Sequence, residues 1–251
     1  MKKIIFLFVV FMGIEAKANI SIYPYHLDFD TASRTRVQSI RVINKSDKRQ
    51  TYRVSVVDLT QDSQGNMTEV DSAKHSAKKY LQFSPRQFTL EPNLVQTINI
   101  AQRGLGNAPN DEFFSFVQIS ETKLGERPTQ NDGEKKLSIQ LVPLFSVRFP
   151  VKILNGKDLV SNTDISSFSF DKENLNVLLK RTGNISSHVD VALLNDKKEE
   201  VGRLNSVKIY PPNDKLKVQI PLKKEGFKGD GVLKLENAVS KKQILTKSVH
   251  K

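Results

Sequence analysis

Residues 137–153 alternate without a break. Every odd position is apolar: Leu137, Ile139, Leu141, Pro143, Phe145, Val147, Phe149, Val151 and Ile153. The even positions are mixed, with Ser138, Gln140, Ser146, Arg148 and Lys152 polar and Val142 and Leu144 apolar. Successive side chains leave a pleated strand on opposite faces, so a period of two held this long points to β-structure and away from helix. The run is also too long for an ordinary strand of five or six residues. Its seventeen residues, at about 3.3 Å each, would span roughly 56 Å. One sandwich does not cover such a face. Either the strand bends at Pro143 and Pro150, or part of its apolar face is offered to a partner.

The first eighteen residues read as an export signal, with Lys2 and Lys3 ahead of an apolar stretch over 4–14 and Ala16-Lys17-Ala18 as a small-x-small cleavage triplet. That stretch, about eleven residues, is short of the roughly twenty a membrane span requires. The reading is a cleaved signal peptide, an exported mature chain from residue 19, and no integral membrane segment within it. The chain contains no cysteine, so disulfides contribute nothing and stability rests on core packing. The net charge is +12, and loss of Lys2, Lys3, Lys17 and Glu15 with the signal leaves +10. In an exported protein whose lysines are scattered over turns and polar strand faces, this charge suits acidic proteins, a carboxylate or an anionic surface. Nucleic acid is not expected.

From residue 19 the pattern is β throughout. Ile20 and Ile22, then Leu27 and Phe29, alternate around a break at Pro24. Further alternation covers 37–43, 52–59, 80–90, 95–100 and 112–120, separated by turn chemistry at 44–47, 61–66, 91–93 and 104–110. The polar run 71–79 reads as a short helix or a loop, and 121–135 as a charged loop. Beyond a break at 154–158, seven shorter strands are expected at 165–170, 175–180, 188–194, 201–210, 216–222, 232–235 and 243–248. The expected organisation is a signal peptide at 1–18, an N-terminal immunoglobulin-like domain at 19–154, a linker at 155–162 and a C-terminal β-sandwich at 163–251. The fold class is all-β, with two immunoglobulin-like β-sandwich domains in tandem.

Catalytic chemistry finds no support. His26, His75, His188 and His250 show no metal spacing, no G-x-S-x-G elbow occurs, and no thiol is present. No cofactor or metal is expected, and the protein is read as a non-enzyme. A binding or structural role remains, such as a secreted adhesin or structural surface protein of this fold. The absence of Trp removes the usual stacking platform of a sugar binder.

Three stretches carry a family resemblance. NISIYPYHLDFD (19–30), SPRQFTLEPN (84–93) and LSIQLVPLFSVRFPVKILNG (137–156) resemble the first strand, a proline-containing strand with its turn, and the last domain-1 strand of PapD-like periplasmic chaperones of pilus assembly. PLFSVRFPV (143–151) and RTGNISSHVDV (181–191) look most like the archaic or alternative branch of that family. The resemblance implies two immunoglobulin-like domains set at an angle, with pilus or fimbrial subunits as clients and an outer-membrane usher as a further partner. It also implies donor-strand complementation, in which the chaperone lends its last domain-1 strand to an incomplete subunit sandwich. Leu137, Ile139, Leu141, Pro143 and Phe145 would then be subunit-binding, while the run from Phe145 to Ile153 stays with the chaperone's own core.

Members of the family hold the subunit's terminal carboxylate with cations in the interdomain cleft. By that resemblance the usual first-strand Arg falls at His26. The Lys expected on the last strand falls near Ser146, with Arg148 two residues further on. The implied anchor is Arg148 with His26 or Arg86. Phe113, Phe114 and Phe116 read as core at alternate positions or as a partner surface beside the lent strand.

Overall fold

The computed structural model describes residues 19–33, 35–122, 144–171, 173–223 and 227–251. The signal-peptide reading at 1–18 and the strand positions Leu137, Ile139, Leu141 and Pro143 lie outside the described residues.

Among the described residues, the first sandwich holds ten strands: β1 (Ile20–Tyr23), β2 (Leu27–Asp30), β3 (Val37–Asn44), β4 (Gln50–Gln61), β5 (Met67–Val70), β6 (Leu81–Ser84), β7 (Gln87–Leu90), β8 (Val95–Gln102), β9 (Asp111–Thr122) and β10 (Ser146–Asn155). One sheet runs β1-β3-β8-β6; the other runs β2-β10-β9-β4-β5, with β7 also on β4. Its core is formed by the inward members of each alternation, among them Phe29, Ile40, Val42, Tyr52, Ile98, Ile100, Val117, Ile119, Val151 and Ile153.

Proline decides where the chain changes sheet. Pro24 has no N–H to continue the ladder that β1 shares with β3, and β2 begins three residues later in the opposite sheet, parallel to β10. Pro85 does the same between β6, which pairs β8, and β7, which pairs β4. The single run expected over 80–90 is therefore two strands in two sheets. β5 has no counterpart in the sequence reading, because its residues are nearly all exposed and carry no apolar alternation. The polar run 71–79 ends in one turn of 3-10 helix, Lys78–Tyr80.

The second sandwich holds β11 (Ser161–Phe170), β12 (Asn174–Gly183), β13 (Ser187–Asn195), β14 (Glu200–Ile209), β15 (Lys215–Pro221), β16 (Asp230–Asn237) and β17 (Gln243–His250). All seven sit within a few residues of the expected runs. They form the sheets β11-β12-β15 and β14-β13-β16-β17 over a separate core that includes Ile165, Leu175, Leu179, Val191, Leu193, Ile220, Leu233 and Leu235. Among the described residues, no helix is long and apolar enough to cross a membrane.

The two sandwiches are joined by more than the short connection after β10. Gly156 leaves β10 with φ +94, and a Cβ there would overlap the Asn110 side chain, so only glycine fits this exit. Gln61 donates from its amide to the Lys208 carbonyl (3.0 Å) and accepts from the Tyr210 N–H (3.0 Å). The buried Glu112 carboxylate accepts from the Ser186 N–H (3.0 Å) and hydroxyl (2.8 Å). Phe114 stacks on Tyr210, with ring centroids 4.9 Å apart and planes 21° from parallel. Of the three phenylalanines on β9, Phe113 joins the first core, Phe114 packs between the sandwiches and Phe116 is half-buried against Phe114.

Candidate functional site

Two features meet on β10. The first is its open edge. β10 pairs antiparallel with β9 from Ser146 to Asn155, but β2 covers its other side only from Val151 to Leu154. Among the described residues, Ser146 to Pro150 thus form a ladder on one side alone. Pro150 is tolerated here because it precedes the β2 pairing, as prolines in sheets are confined to edges. Core burial on this strand starts at Phe149, continues through Val151 and Ile153, and fails upstream. Phe145 is 49% exposed and Leu144 50%. The core strand that the sequence reading began at Phe145 therefore begins at Phe149. Phe145 is placed by its backbone, donating to the Glu121 carboxylate (3.3 Å) and accepting from the Glu121 N–H (2.9 Å).

The second feature is a cleft of about 420 Å³ between the sandwiches. The β1–β2 crossing supplies Tyr25 and His26, the outward face of β10 supplies Pro150 and Lys152, β13 supplies His188, and β14 supplies Lys208. Tyr210 lies at its wall, its hydroxyl pushed up to about 12 by burial and by the negative charges of Glu112 and Asp28, so it stays neutral. Among the described residues, Asp28 is the one acid in the lining, 3.8 Å from the Lys152 ammonium. Two lysines against one carboxylate leave the lining with a surplus of positive charge, which suits an anion. His188 and Lys208 are register partners across β13 and β14. The His188 ring is held below the ordinary imidazole range by burial first, then by the charges of Lys208 and Lys152. Its Nε2 is buried with no hydrogen-bond partner among the described residues.

The wall behind His188 is fixed by charge. Asp190, 1% exposed, accepts from the Lys241 ammonium (2.6 Å) and the Ser206 N–H (2.8 Å), and Arg203 lies 3.7 Å away. Ser206 takes the left-handed conformation, φ +57, in the irregular stretch where the β13–β14 register shifts. Asp190 thereby ties that bulge and the turn after β16 into one surface.

Of the anchor residues implied by the resemblance, Arg148 with His26 or Arg86, the cleft contains only His26. Arg148 points to the same side of β10 as Lys152 but lies four residues upstream, roughly 13 Å along a strand. Its guanidinium is bound by Gln118 on β9 and Glu69 on β5. Arg86 lies over the Phe83 ring, 5.6 Å from its centroid. The residues that the sequence reading missed are Lys152, His188 and Lys208. Lys152 was within reach: it shares the face of Arg148 and sits three residues before the end of β10, where the second sandwich packs. His188 and Lys208 had no local signal, because only the pairing of β13 with β14 brings them together.

A larger open hollow, about 710 Å³, is lined by Arg36, Gln102 and Arg103 beside Gly104 and Gly106. Its Arg36 is already engaged, donating to the Gln102 side chain (2.8 Å) and the Thr31 carbonyl (3.4 Å). Among the described residues, no group of three or more His, Cys, Asp or Glu side chains is arranged to hold a metal ion.

No protein-family model and no curated protein sequence matches the chain. Solved structures do. The YadV chaperone aligns over 92% of this chain and 100% of its own at 12% identity, with a TM-score of 0.52. A chain of the CsuC–CsuE chaperone–tip adhesion subunit pre-assembly complex, from the archaic chaperone-usher Csu pili of Acinetobacter baumannii, aligns over 93% of this chain and 99% of its own at 12% identity, also with a TM-score of 0.52. Over nearly its whole length, the protein therefore has the two-sandwich fold found in these chaperone structures.

Proposed function

We propose that the protein is a periplasmic chaperone that binds pilus subunits by lending them a strand and delivers them for assembly at an outer-membrane usher. The observation that carries this reading is β10 itself. One strand emerges from an open, half-exposed apolar end and, within ten residues, passes beside a cleft of four cationic or titratable side chains. The fold shared with chaperone structures supports it, one of them a complex with an adhesion subunit. The export signal at 1–18 supports the periplasmic location. A secreted adhesin of the same fold would leave both the open edge and the cationic cleft without a role.

In this reading Leu137, Ile139, Leu141, Pro143 and Phe145 fill a groove in the subunit, while the backbone of the same stretch pairs with its exposed edge. Each buried aliphatic side chain stabilises the complex by about 1.5–3 kcal/mol before ordering costs. The subunit's terminal carboxylate binds in the cleft at Lys152 and His26. The protein binds and positions its client and catalyses no reaction.

The test is co-purification of candidate pilus subunits with the exported protein. Lys152→Ala is expected to lower subunit recovery about tenfold, because a charge-assisted contact to a carboxylate is worth about 1.5–3 kcal/mol. Its melting temperature should hardly change, since the partner Asp28 is half-exposed and such pairs contribute little. Arg148→Ala is expected to leave recovery at the wild-type level. Full recovery with Lys152→Ala would remove Lys152 from the site.

A further inference from the structure

The carboxylate reading of the cleft draws on the first sandwich alone, through Lys152 and His26. Half of the lining comes from the second. His188 presents a buried Nε2 that has no hydrogen-bond partner among the described residues. Buried polar atoms are nearly always paired, and one left open costs about 1–3 kcal/mol. Nε2 itself is closed to solvent, and the ring lines a cleft that also holds Lys152 and Lys208. We propose that His188 is the second-sandwich ligand of the bound carboxylate, so that the cleft holds that group between both sandwiches and holds it more tightly as the pH falls. This rests on the cleft being a carboxylate site.

The charges around His188 come from several elements. Lys208 is its register partner on β14, Lys152 acts on it from β10, and the titratable His26 lines the same cleft from the β1–β2 crossing. Lys241 acts from the turn after β16. Two acids oppose them. Asp190, next but one along β13, is already bound by Lys241 and the Ser206 N–H. Asp28 on β2 sits beside Lys152. Tyr210 is neutral throughout. The surplus is positive, which together with burial keeps the imidazole uncharged in the empty cleft.

A carboxylate entering between His188 and Lys152 changes that balance. Its negative charge and its acceptor oxygens favour the imidazolium, whose ring nitrogens both donate. The sign follows from linkage. A group whose proton affinity rises on binding takes up a proton with the ligand, so affinity grows as pH falls through the bound-state value. It levels off below the free-state value.

The experiment follows the imidazole C–H signals of His26, His75, His188 and His250 by NMR in the full mature protein. The probe is acetyl-dialanine with a free carboxylate, and its C-terminal amide is the control. The free acid is expected to move the His188 and His26 signals and leave His75 and His250 in place, and the amide to move none. Affinity for the acid should rise several-fold between pH 7.5 and 5.5, towards the tenfold limit that a change of about one pKa unit sets below the free-state value. That rise should persist in His26→Gln and disappear in the His26→Gln, His188→Gln double variant, where glutamine keeps a hydrogen-bonding amide that does not titrate. A still His188 signal, or a flat profile in His26→Gln, overturns the role of His188. If Lys152→Ala weakens binding in the same experiment, the carboxylate site itself survives that outcome. If the acid binds no better than the amide, and Lys152→Ala changes nothing, both readings fall.

Discussion

Ile139→Asp is expected to give a folded protein that no longer retains a pilus subunit. In the strand-lending reading Ile139 is the middle of three aliphatic side chains placed in the client's groove. A carboxylate there removes about 1.5–3 kcal/mol of apolar burial and adds the larger cost of taking a charge out of water. Recovery of bound subunit should fall at least a hundredfold, while the urea midpoint of the free protein stays where it was. The same substitution twelve residues on should do the opposite. Val151 is fully buried in the first core, and Val151→Asp places an unpaired charge among Phe29, Val117 and Ile119. That penalty is comparable with the 5–15 kcal/mol of a whole domain's stability, so the first sandwich should fail to fold. One continuous alternation would thus show two different sensitivities. Undiminished capture by Ile139→Asp would end the strand-lending proposal.

The second large effect lies in the second sandwich. Asp190→Ala is expected to destabilise the protein by about 2–4 kcal/mol, measured by urea denaturation. The substitution removes the acceptor for the Ser206 N–H and the counter-charge for Lys241 and Arg203. The upper part of that range is not expected, because the Lys241 side chain is 64% exposed and keeps its hydration. The contribution is also pH-dependent. Burial would raise the Asp190 carboxyl, but the Lys241 hydrogen bond, the Ser206 N–H and the nearby positive charges outweigh it and hold it below the usual range. A depressed native value stabilises the fold above the unfolded value of about 3.9. That stabilisation is lost as pH falls through the lower native value. Wild type and Asp190→Ala should therefore converge in stability in strong acid. A constant gap between them, or a loss under 1 kcal/mol at neutral pH, would remove the carboxylate from the account.

Much of the fold was legible because alternation is local. The pattern around Phe149, Val151 and Ile153 announces both a strand and its inward face, and every strand of the second sandwich announced itself in this way. β5 did not, since a strand exposed on nearly all its residues has no apolar period to read. The separation of β6 from β7 was signalled by Pro85, but a missing N–H says only that a ladder stops, not which sheet the chain enters next. The site was less legible. Arg148 and Lys152 share a face, and alternation treats them alike. What distinguishes them is where the second sandwich packs along β10. That position depends on Gln61, Glu112 and Phe114, residues whose partners lie about 75–150 positions away. His26, Lys152, His188 and Lys208 become neighbours only after that packing is complete.

Gln61 binds the main chain of Lys208 and Tyr210 and ignores what their side chains are. This part of the joint is thus held through peptide groups common to every amino acid, while the Lys208 side chain is left to the wall of the cleft; the Phe114–Tyr210 stack and the Glu112–Ser186 hydroxyl contact are the parts that depend on side chains. Residue 208 can change from lysine to something neutral or acidic without loosening the joint. In the proposed role, recognition at this site is therefore free to drift at residue 208, by substitution or by design, on a frame that does not have to be rebuilt each time the client changes.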